Sequence, residues 1–533
     1  MTFPSRRSRQ RSVIVALLDV LLMALLVALP GAPLTSLAQT PPPPQRLETP
    51  GVLDAIQPEE RDTVTTSVPT GLAAYTISAE LITDGAEAAA PEIRGSLRLA
   101  WTNTTGETLD ALPFRLYANG PDREHDVLTI ASATIDGEPV EPTLTVENSI
   151  LTVPFTNPLE RDDASTIELN FVSVLPVDSS SHYGIFGFDS EEGTLAMAQW
   201  YPIVAGRDPD GGWMLDPPSD NGDPVFSDTA LYDVSVRIEE EYELVTSGVE
   251  QRGAAVDASG MVTRRFLSGP VRDFTMVADD DLGLSSREVD GITVNSWFPA
   301  GQERVGDAVA TYAAQAVTVF EEVLGPYPYT ELDVVSVPLN GAAGVEFPQL
   351  IYIGQGYYND GENLRTPNSL DFTVAHEVIH QWFYALVGNN QYDDAFIDEG
   401  LTNYLSAELY FALQYDDAVA EQVVQRYLVE TFEATVQRGN DQIVAQPTDG
   451  FPTGNSYVYA TYSKAPLGFR AIRAEIGDTV FLAALQAYVD EFQFRVATPD
   501  DLLAAFEDAS GENLDELWRH WFEAAEGERD IED

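Results

Sequence analysis

Hydrophobic and polar residues alternate in short runs along residues 71–285, with Gly, Asp and Pro between the runs. Segments such as 96–101, 128–130, 151–153 and 232–236 place apolar residues at every second position. A period of two is typical of strands that bury one face. The pattern therefore predicts an N-terminal domain of antiparallel β-strands, a sandwich or saddle, over residues 71–285.

The spacing of apolar residues changes near residue 286, where a second domain is predicted to run to residue 533. Residues 303–324 carry apolar side chains on one helical face and end before Gly325, as helices commonly do. Strands are predicted next at 332–338 and 345–353. Beyond them the pattern predicts only helices, at roughly 369–387, 394–414, 416–433, 464–475, 479–491, 498–508 and 513–523. The predicted fold class is multidomain β plus α/β, with a β domain followed by an α+β domain.

Residues 1–40 have the pattern of an export signal. Arginines between residues 6 and 11 precede an apolar stretch from Val13 to Leu29, and Ser36-Leu37-Ala38 offers a cleavage site. An uncleaved anchor is the alternative, although about seventeen residues are short for a membrane span. We expect a protein exported across the membrane, secreted or associated with the cell envelope, with residues 41–70 as a proline-rich linker.

The chain is strongly acidic and has no cysteine. Its 86 Asp and Glu residues against 28 Lys and Arg residues give a net charge of −58. Such a surface repels nucleic acid and anionic membranes, so neither is expected as a partner beyond a possible N-terminal anchor. The lack of cysteine excludes disulfides, thiol catalysis and thiolate metal sites. A metal centre would therefore use His and carboxylate ligands.

Two histidines enclose a glutamate in the segment His376-Glu377-Val378-Ile379-His380. Residues i and i+4 of a helix share one face, so the predicted helix aims both imidazoles at one point. Glu399 follows His380 after eighteen residues, at the start of the next predicted helix. An antiparallel return of that helix would bring its carboxylate beside the histidines. The pattern predicts one Zn²⁺ per chain, held by His376, His380 and Glu399.

Three protein ligands leave one position of a four-coordinate zinc for water, which is the arrangement of a hydrolytic site. Zinc lowers the pKa of such a water toward neutrality, and Glu377 is the predicted general base. A chance match on an amphipathic helix is the alternative, and a chain with only five histidines makes such a match rare.

The H-E-x-x-H motif followed by eighteen residues and Glu resembles the aminopeptidase N family of zinc metallopeptidases, gluzincins that include the leukotriene-A hydrolases. The resemblance covers about residues 75–525 and implies a thermolysin-like catalytic domain over residues 286–533. The family commonly has Asn at the position of Asp398 and Gly at the position of Tyr384. The chain looks like a short bacterial-type member without the C-terminal helical domain, which implies a more open cleft.

The segment Gly344-Val345-Glu346-Phe347-Pro348 resembles the family's G-x-M-E-N motif. In the family this edge strand pairs with the extended substrate, and its glutamate binds the free α-amino group. The resemblance implies substrate-binding roles for Gly344 and Glu346. Val345 and Phe347 depart from the commonest form, and an ordinary strand glutamate is the alternative.

Tyr462-Ser463-Lys464-Ala465 resembles the family's Tyr-x-Lys-Gly segment, in which the tyrosine donates to the oxyanion. The resemblance implies this catalytic role for Tyr462, with Tyr457 and Tyr459 as nearby alternatives. Lys464 is the only lysine in the chain, against 27 arginines. A compact ammonium is expected to be required there, unless Lys464 is a surviving surface residue.

Other candidates have weaker patterns. Family members hold the substrate amino terminus with a glutamine of the β domain, for which Gln199 is the nearest match. The acidic loop from Asp208 to Asp223 fits no defined calcium loop, so a solvated loop is favoured. His125, His182 and His520 have no ligand-spaced partner.

The predicted function is a zinc metallo-aminopeptidase that releases N-terminal residues from peptides. An endopeptidase or another hydrolase on the same zinc site remains an alternative. A noncatalytic surface binding protein with a vestigial site is the alternative from another class.

Overall fold

The computed structural model describes residues 51–83, 90–120, 126–209, 211–217, 219, 221–222, 225–359, 364–365 and 367–531. The predicted signal at residues 1–40 and the start of the predicted linker lie outside these ranges. The described residues cluster as one compact unit, so the predicted boundary between residues 285 and 286 stays a prediction. Within the described ranges, none of the helices is long and apolar enough to span a membrane.

The predicted linker is structured from residue 51 onward. Val52–Ala55 forms a 3₁₀ turn, and helix α1 (Arg61–Ser67) follows it. Ile56 is fully buried, and the backbone N–H of Thr330 donates to the carbonyl of Ala55 at 3.0 Å. This part of the chain departs from the linker prediction because its few apolar residues pack into the core.

Strands dominate the chain up to residue 299. They are β1 (Ala73–Ile82), β2 (Glu92–Thr102), β3 (Leu109–Arg115), β4 (Leu128–Ile135), β5 (Glu138–Val140), β6 (Thr143–Thr145), β7 (Ile150–Leu159), β8 (Ala164–Val174), β9 (Phe186–Phe188), β10 (Leu195–Met197), β11 (Ile203–Val204), β12 (Ala230–Glu239), β13 (Glu243–Thr246), β14 (Val249–Gln251), β15 (Met261–Leu267), β16 (Met276–Asp279), β17 (Leu282–Val289) and β18 (Ile292–Pro299). Short 3₁₀ turns lie at Tyr117–Asn119 and Ser181–Gly184.

Three sheets make up the N-terminal β region. The largest has eight strands in the order β14-β15-β12-β1-β2-β8-β4-β5, and two four-stranded sheets have the orders β13-β16-β10-β9 and β11-β3-β7-β6. All neighbouring pairs in the largest sheet are antiparallel except β1 with β12. Burial alternates along β2 and β8, so one face of the sheet packs into the core. The predicted β-rich N-terminal region followed by a helical catalytic region is confirmed.

A five-stranded mixed sheet begins the catalytic region, in the order β17-β18-β19-β21-β20. It adds β19 (Glu331–Val337), β20 (Gly344–Phe347) and β21 (Leu350–Gly354) to the two preceding strands. The pairs β18/β19 and β19/β21 are parallel, whereas β20 runs antiparallel to β21 and forms an edge. The single strand predicted at 345–353 is therefore a hairpin, which turns at Gln349 with φ 62°.

Helix α2 (Glu303–Leu324) lies between β18 and β19, and the other helices of this region follow the sheet in sequence. The others are α3 (Gly356–Asn359), α4 (Ser369–Ile379), α5 (Leu401–Tyr404), α6 (Phe411–Gln414), α7 (Asp417–Val424), α8 (Glu430–Gln437), α9 (Gly454–Tyr459), α10 (Ala465–Ile476), α11 (Asp478–Phe492), α12 (Pro499–Ser510), α13 (Asp515–Trp518) and α14 (Glu528–Ile531). A 3₁₀ turn lies at Thr448–Gly450, and π-helical turns lie at Phe396–Gly400, Leu405–Tyr410, Gln425–Val429, Ala460–Lys464 and Arg519–Glu523. Helix α2 has the predicted bounds and packs against β17 and α4.

Helix α4 ends earlier than predicted, at Ile379 instead of residue 387. The chain then turns through Tyr384, whose φ of 112° lies in the left-handed region. The buried guanidinium of Arg272 donates to the carbonyls of Tyr384 and Leu386 in this turn. A short parallel pair, β22 (Val387–Gly388) with β23 (Arg495–Val496), follows, so the prediction of helices alone is wrong here.

Candidate metal centre and substrate cleft

Helix α4 is fixed at both ends of its first turn. The side chain of Asn368 caps the helix by accepting from the N–H of Asp371 at 2.9 Å. The fully buried Asp371 carboxylate accepts in turn from the hydroxyls of Tyr410 at 2.8 Å and Tyr415 at 2.6 Å. These bonds tie the helix that carries the H-E-x-x-H motif to the following helices.

The three predicted ligands converge on one point. The Nε2 atoms of His376 and His380 lie 3.2 Å apart. Glu399 Oε2 lies 3.2 Å from the first and 3.3 Å from the second. Tetrahedral zinc with bonds of about 2.0–2.1 Å places its ligand atoms about 3.3 Å apart, so the spacing and the donor set both fit this ion.

Burial and mutual charge set the electrostatics of this centre. Burial lowers the pKa of His376. Burial alone would lower the pKa of His380 as well, but Glu346 and Glu399 raise it well above its usual value. Burial alone would raise the pKa of Glu399, but His380 and His376 hold it far below its usual range. The centre therefore keeps its carboxylate ionised and attracts positive charge.

A hydrogen bond from the turn after α4 orients His380. Its Nδ1 lies 3.1 Å from the carbonyl of Phe383, which favours the tautomer with the proton on Nδ1. Nε2 is then free to act as a ligand. Phe383 lies in the turn that follows the early end of α4. This turn, which the sequence did not predict, therefore contributes to the site.

Two site residues lie on π-helical turns, which widen a helix locally and are frequent at functional sites. Glu399 belongs to the turn Phe396–Gly400, and Tyr462 belongs to the turn Ala460–Lys464. The two helices approach closely at Gly400, where an added Cβ would lie 2.7 Å from the Cβ of Ala465. The missing side chain at Gly400 thus makes room for Ala465, which stands where the family commonly has glycine.

Glu377 lies beside the ligand cluster and lines the same cleft. Its side chain rests against the backbone of Gly344, where an added Cβ would lie 2.5 Å from Glu377 Oε1. Glycine at position 344 therefore leaves space for the carboxylate of the predicted general base. This is a steric role, beside the substrate-binding role that the motif implies.

Glu346 lies on the edge strand β20 and is 5% exposed at the wall of the cleft. The side chain of Gln381, the residue after His380, fixes the strand: its Nε2 donates to the carbonyl of Phe347 at 3.0 Å, and its Oε1 accepts from the N–H of Gln349 at 2.9 Å. The hairpin is thus held against the end of α4, with one strand edge facing the cleft.

Tyr462 reaches the cleft and lies near the first histidine, with 6.1 Å between its ring and that of His376. Asn403 Nδ2 donates to the Tyr462 carbonyl at 2.6 Å and holds its turn in place. Tyr459 points elsewhere, since its hydroxyl donates to Asp441 at 2.7 Å. Tyr457 also lines the cleft, so it remains the alternative to Tyr462.

Lys464 does not face the cleft. It is 1% exposed, and its Nζ donates to Asp441 Oδ1 at 2.9 Å and to the carbonyls of Gln442 and Ala524 at 2.7 Å each. Three convergent acceptors are suited to a compact ammonium. The lysine is therefore a buried structural residue and not a surviving surface one.

Gln199 is 2% exposed and has φ 57°. Among the described residues, neither oxygen nor nitrogen of its amide has a hydrogen-bond partner. Its neighbour Ala198 packs in one apolar cluster with Val345 and Phe347, which flank Glu346. The structure thus places Gln199 near this strand but does not place it among the residues that line the cleft.

The cleft has a volume of about 530 Å³. The acids Glu346, Glu377 and Glu399 line it, together with the aromatic residues Tyr183, Phe372, Tyr457 and Tyr462. No Lys or Arg lines it among the residues that the structure describes. The cleft therefore suits an extended ligand whose end beside a hydrolytic metal is positively charged or neutral.

A second group of ligand-type atoms lies directly behind the first. Glu346, His380 and Asp398 each offer an atom within 4.8 Å of the others. Asp398 is fully buried and accepts from Gln391 Nε2 at 2.7 Å and from Asn389 Nδ2 at 3.1 Å. In the sequence, Asp398 stands out only as a departure from the family pattern, and no motif spacing marks Gln391.

Residues 310–521 match the family model described as the peptidase family M1 domain. Aminopeptidase 2 of Candida albicans is 24% identical over 296 residues, 54% of this chain and 32% of that protein. The alanine/arginine aminopeptidase of Saccharomyces cerevisiae is 26% identical over 238 residues, 43% of this chain and 27% of that protein. The chain thus spans about a third of the length of these curated relatives.

Solved structures share the overall fold. The crystal structure of an M1 zinc metallopeptidase from Deinococcus radiodurans matches with a TM-score of 0.62 at 16% identity, over 87% of this chain and 96% of that one. This likeness confirms the fold that the motif resemblance implied, a β-rich N-terminal region followed by a helical region. Over residues 310–521, the chain matches the model of the peptidase family M1 domain, in agreement with the resemblance of its motifs.

Proposed function

We propose that this protein is a zinc-dependent aminopeptidase that releases N-terminal residues from peptides. The observation that carries the proposal is the convergence of His376, His380 and Glu399 at zinc-ligand spacing beside an edge strand that bears Glu346. The aminopeptidase names of the curated relatives support the reaction class.

A zinc ion bound at this centre would supply Lewis acidity and lower the pKa of water there. The chain's own groups do the remaining work. Glu377 accepts the proton of the attacking water and passes it to the leaving amine. Tyr462 donates its hydroxyl to the oxyanion that develops at the scissile carbonyl.

Substrate orientation rests on β20 and Glu346. As the edge strand of its sheet, β20 pairs with the extended backbone of the peptide, as it would with an added strand. The Glu346 carboxylate binds the α-ammonium group, which fixes the scissile bond one residue from the amino terminus. The lack of lysine and arginine among the described cleft residues is consistent with a cationic substrate end.

Paired peptides test the proposal. An unblocked peptide should be cleaved one residue at a time, and its N-acetylated form should be cleaved at least about a hundredfold more slowly, because the acetyl group removes the charge that Glu346 binds. Chelation should abolish cleavage, and added zinc should restore it. Equal cleavage of both peptides by the zinc-loaded protein would refute the aminopeptidase assignment and favour an endopeptidase.

Export is a second part of the proposal. It is supported by the arginine-rich start and the apolar stretch from Val13 to Leu29. Expression of the full chain and of a chain that starts at residue 41, followed by cell fractionation, tests it. The full chain should appear outside the cytoplasm, with the shorter one retained; retention of both would refute export.

A further inference from the structure

The amide of Gln391 bridges two carboxylates behind the metal centre. Its Nε2 lies 2.7 Å from Asp398 Oδ2 and 3.4 Å from Glu346 Oε1. All three side chains are at most 5% exposed. The bridge joins the edge strand β20 to the π-helical turn Phe396–Gly400, which carries the ligand Glu399.

The two carboxylates decide how this amide is oriented. An ionised carboxylate only accepts hydrogen bonds, so the NH₂ group of Gln391 must face both acids and its oxygen must face away. Asp398 itself is held by Asn389, whose Nδ2 donates to Asp398 Oδ1 at 3.1 Å and to the carbonyl of Asp394 at 3.1 Å. Both oxygens of Asp398 are thus engaged by amide donors.

Glu346 lies among several acids, and the imidazole of His380 is the basic group beside it. Glu377 and Glu399 line the same cleft as Glu346. Asp398 and Glu346 have carboxylate oxygens within 4.8 Å of each other. Like charges at such distances repel, and a side chain with several rotatable bonds turns away from them. A neutral donor between Glu346 and Asp398 holds the Glu346 carboxylate in one orientation without adding a positive charge that would compete with a substrate ammonium.

We propose that Gln391, itself held by Asp398, is the positioning residue that fixes the Glu346 carboxylate for the α-ammonium group of the substrate. The inference rests on the proposed function, because it assigns a support to the amino-group anchor. It also gives a reason for aspartate at position 398, where the family commonly has asparagine: aspartate fixes which way the Gln391 amide faces.

Kinetics of Gln391→Met test this role, since methionine keeps the length of the side chain and removes the donor. KM for an unblocked peptide should rise about tenfold, the equivalent of one hydrogen bond to a charged group, and kcat should change less than KM. The slow cleavage of the N-acetylated peptide should stay unchanged, because that substrate does not use Glu346. Zinc content, measured alongside, should stay at one ion per chain.

A double-variant comparison separates positioning from general structural damage. If Gln391 acts through Glu346, Gln391→Met should raise KM no further in a Glu346→Gln background. Gln57→Met is a matched control, since Gln57 is another buried glutamine and its Nε2 donates to the Tyr327 carbonyl, away from the cleft. This variant should lose some stability and keep the KM of the parent protein.

The outcomes are distinguishable. Wild-type protein that cleaves free and acetylated peptides equally refutes the proposed function. Wild-type protein that discriminates between them, with a Gln391→Met variant that keeps the parental KM, refutes the positioning role alone. An equal rise in KM for Gln391→Met with and without Glu346 also refutes it, because the effect would then not pass through Glu346.

Discussion

Replacing Lys464 with methionine removes an ammonium from a site that is 1% exposed and keeps a side chain of similar length. The ammonium donates to Asp441 Oδ1 and to the carbonyls of Gln442 and Ala524. Asp441 and Gln442 lie in the loop after α8. Ala524 directly follows the π-helical turn Arg519–Glu523. The lysine therefore joins two chain segments that are about eighty residues apart in sequence.

The cost follows from what remains after the replacement. Removing one partner of a buried ion pair costs about 3–5 kcal/mol. Asp441 keeps donors from the Tyr459 hydroxyl at 2.7 Å and from the Gly527 N–H at 2.8 Å. Burial, which also lowers the pKa of Lys464, offsets part of what the ion pair contributes. We therefore expect a loss near the lower limit, about 3 kcal/mol.

Urea and thermal unfolding measure this loss. With an unfolding entropy of about 2 cal/mol/K per residue, a loss of about 3 kcal/mol lowers the melting temperature of a chain of this size by about 3 °C. Lys464→Arg should also destabilise, because a planar guanidinium does not fit three acceptors that converge on one nitrogen. Both variants should keep kcat and KM at 25 °C.

Two results would refute this reasoning. A Lys464→Arg variant as stable as the parent would mean that the site does not select a compact ammonium. A Lys464→Met variant that unfolds normally but loses peptidase activity would mean that the lysine acts in catalysis. In a double-variant cycle, Asp441→Leu together with Lys464→Met should cost less than the sum of the single changes.

Other changes have equally definite outcomes. Glu377→Gln should retain one zinc per chain and lower kcat by about 10²–10⁴, whereas His376→Ala should lose the zinc as well, as metal analysis would show. Tyr462→Phe should lower kcat by about 10²–10³ with little change in KM. A normal kcat would mean that another group donates to the oxyanion. Burial and the neighbouring Asp333 raise the pKa of Glu331 well above its usual value. Its protonated form therefore stabilises the fold below the unfolded pKa, and this contribution is lost as the pH rises through the folded pKa. Glu331→Gln should accordingly be the more stable protein at pH 9, by about 1–3 kcal/mol, and the difference should shrink toward pH 5; a constant difference in urea midpoints would contradict this.

Local patterns in the sequence predicted the parts of the fold that depend on local physics. Helix α2 begins and ends where its apolar face and Gly325 indicated. The spacing of His376, His380 and Glu399 predicted a cluster because helix periodicity and one antiparallel return are enough to bring them together. The structure does bring these side chains together, while their catalytic roles stay predictions.

Long-range contacts account for the features that the sequence did not predict. The end of α4 depends on Arg272, whose guanidinium reaches carbonyls more than a hundred residues away in sequence. The hairpin at Gln349 depends on the side chain of Gln381. Neither contact leaves a periodic signal in the sequence. The apolar patterns therefore predict one continuous helix and one continuous strand through the two turns.

The burial of the one lysine also shields the only side-chain amine of the folded protein from amine-directed reagents. Apart from the α-amino group, Lys464 holds the only primary amine of the chain, and it is 1% exposed. An acylating reagent would reach that nitrogen only when the segment that ends near Ala524 opens. The rate at which Lys464 becomes acylated, followed by mass spectrometry, would thus measure how often the C-terminal packing opens, without any engineered probe.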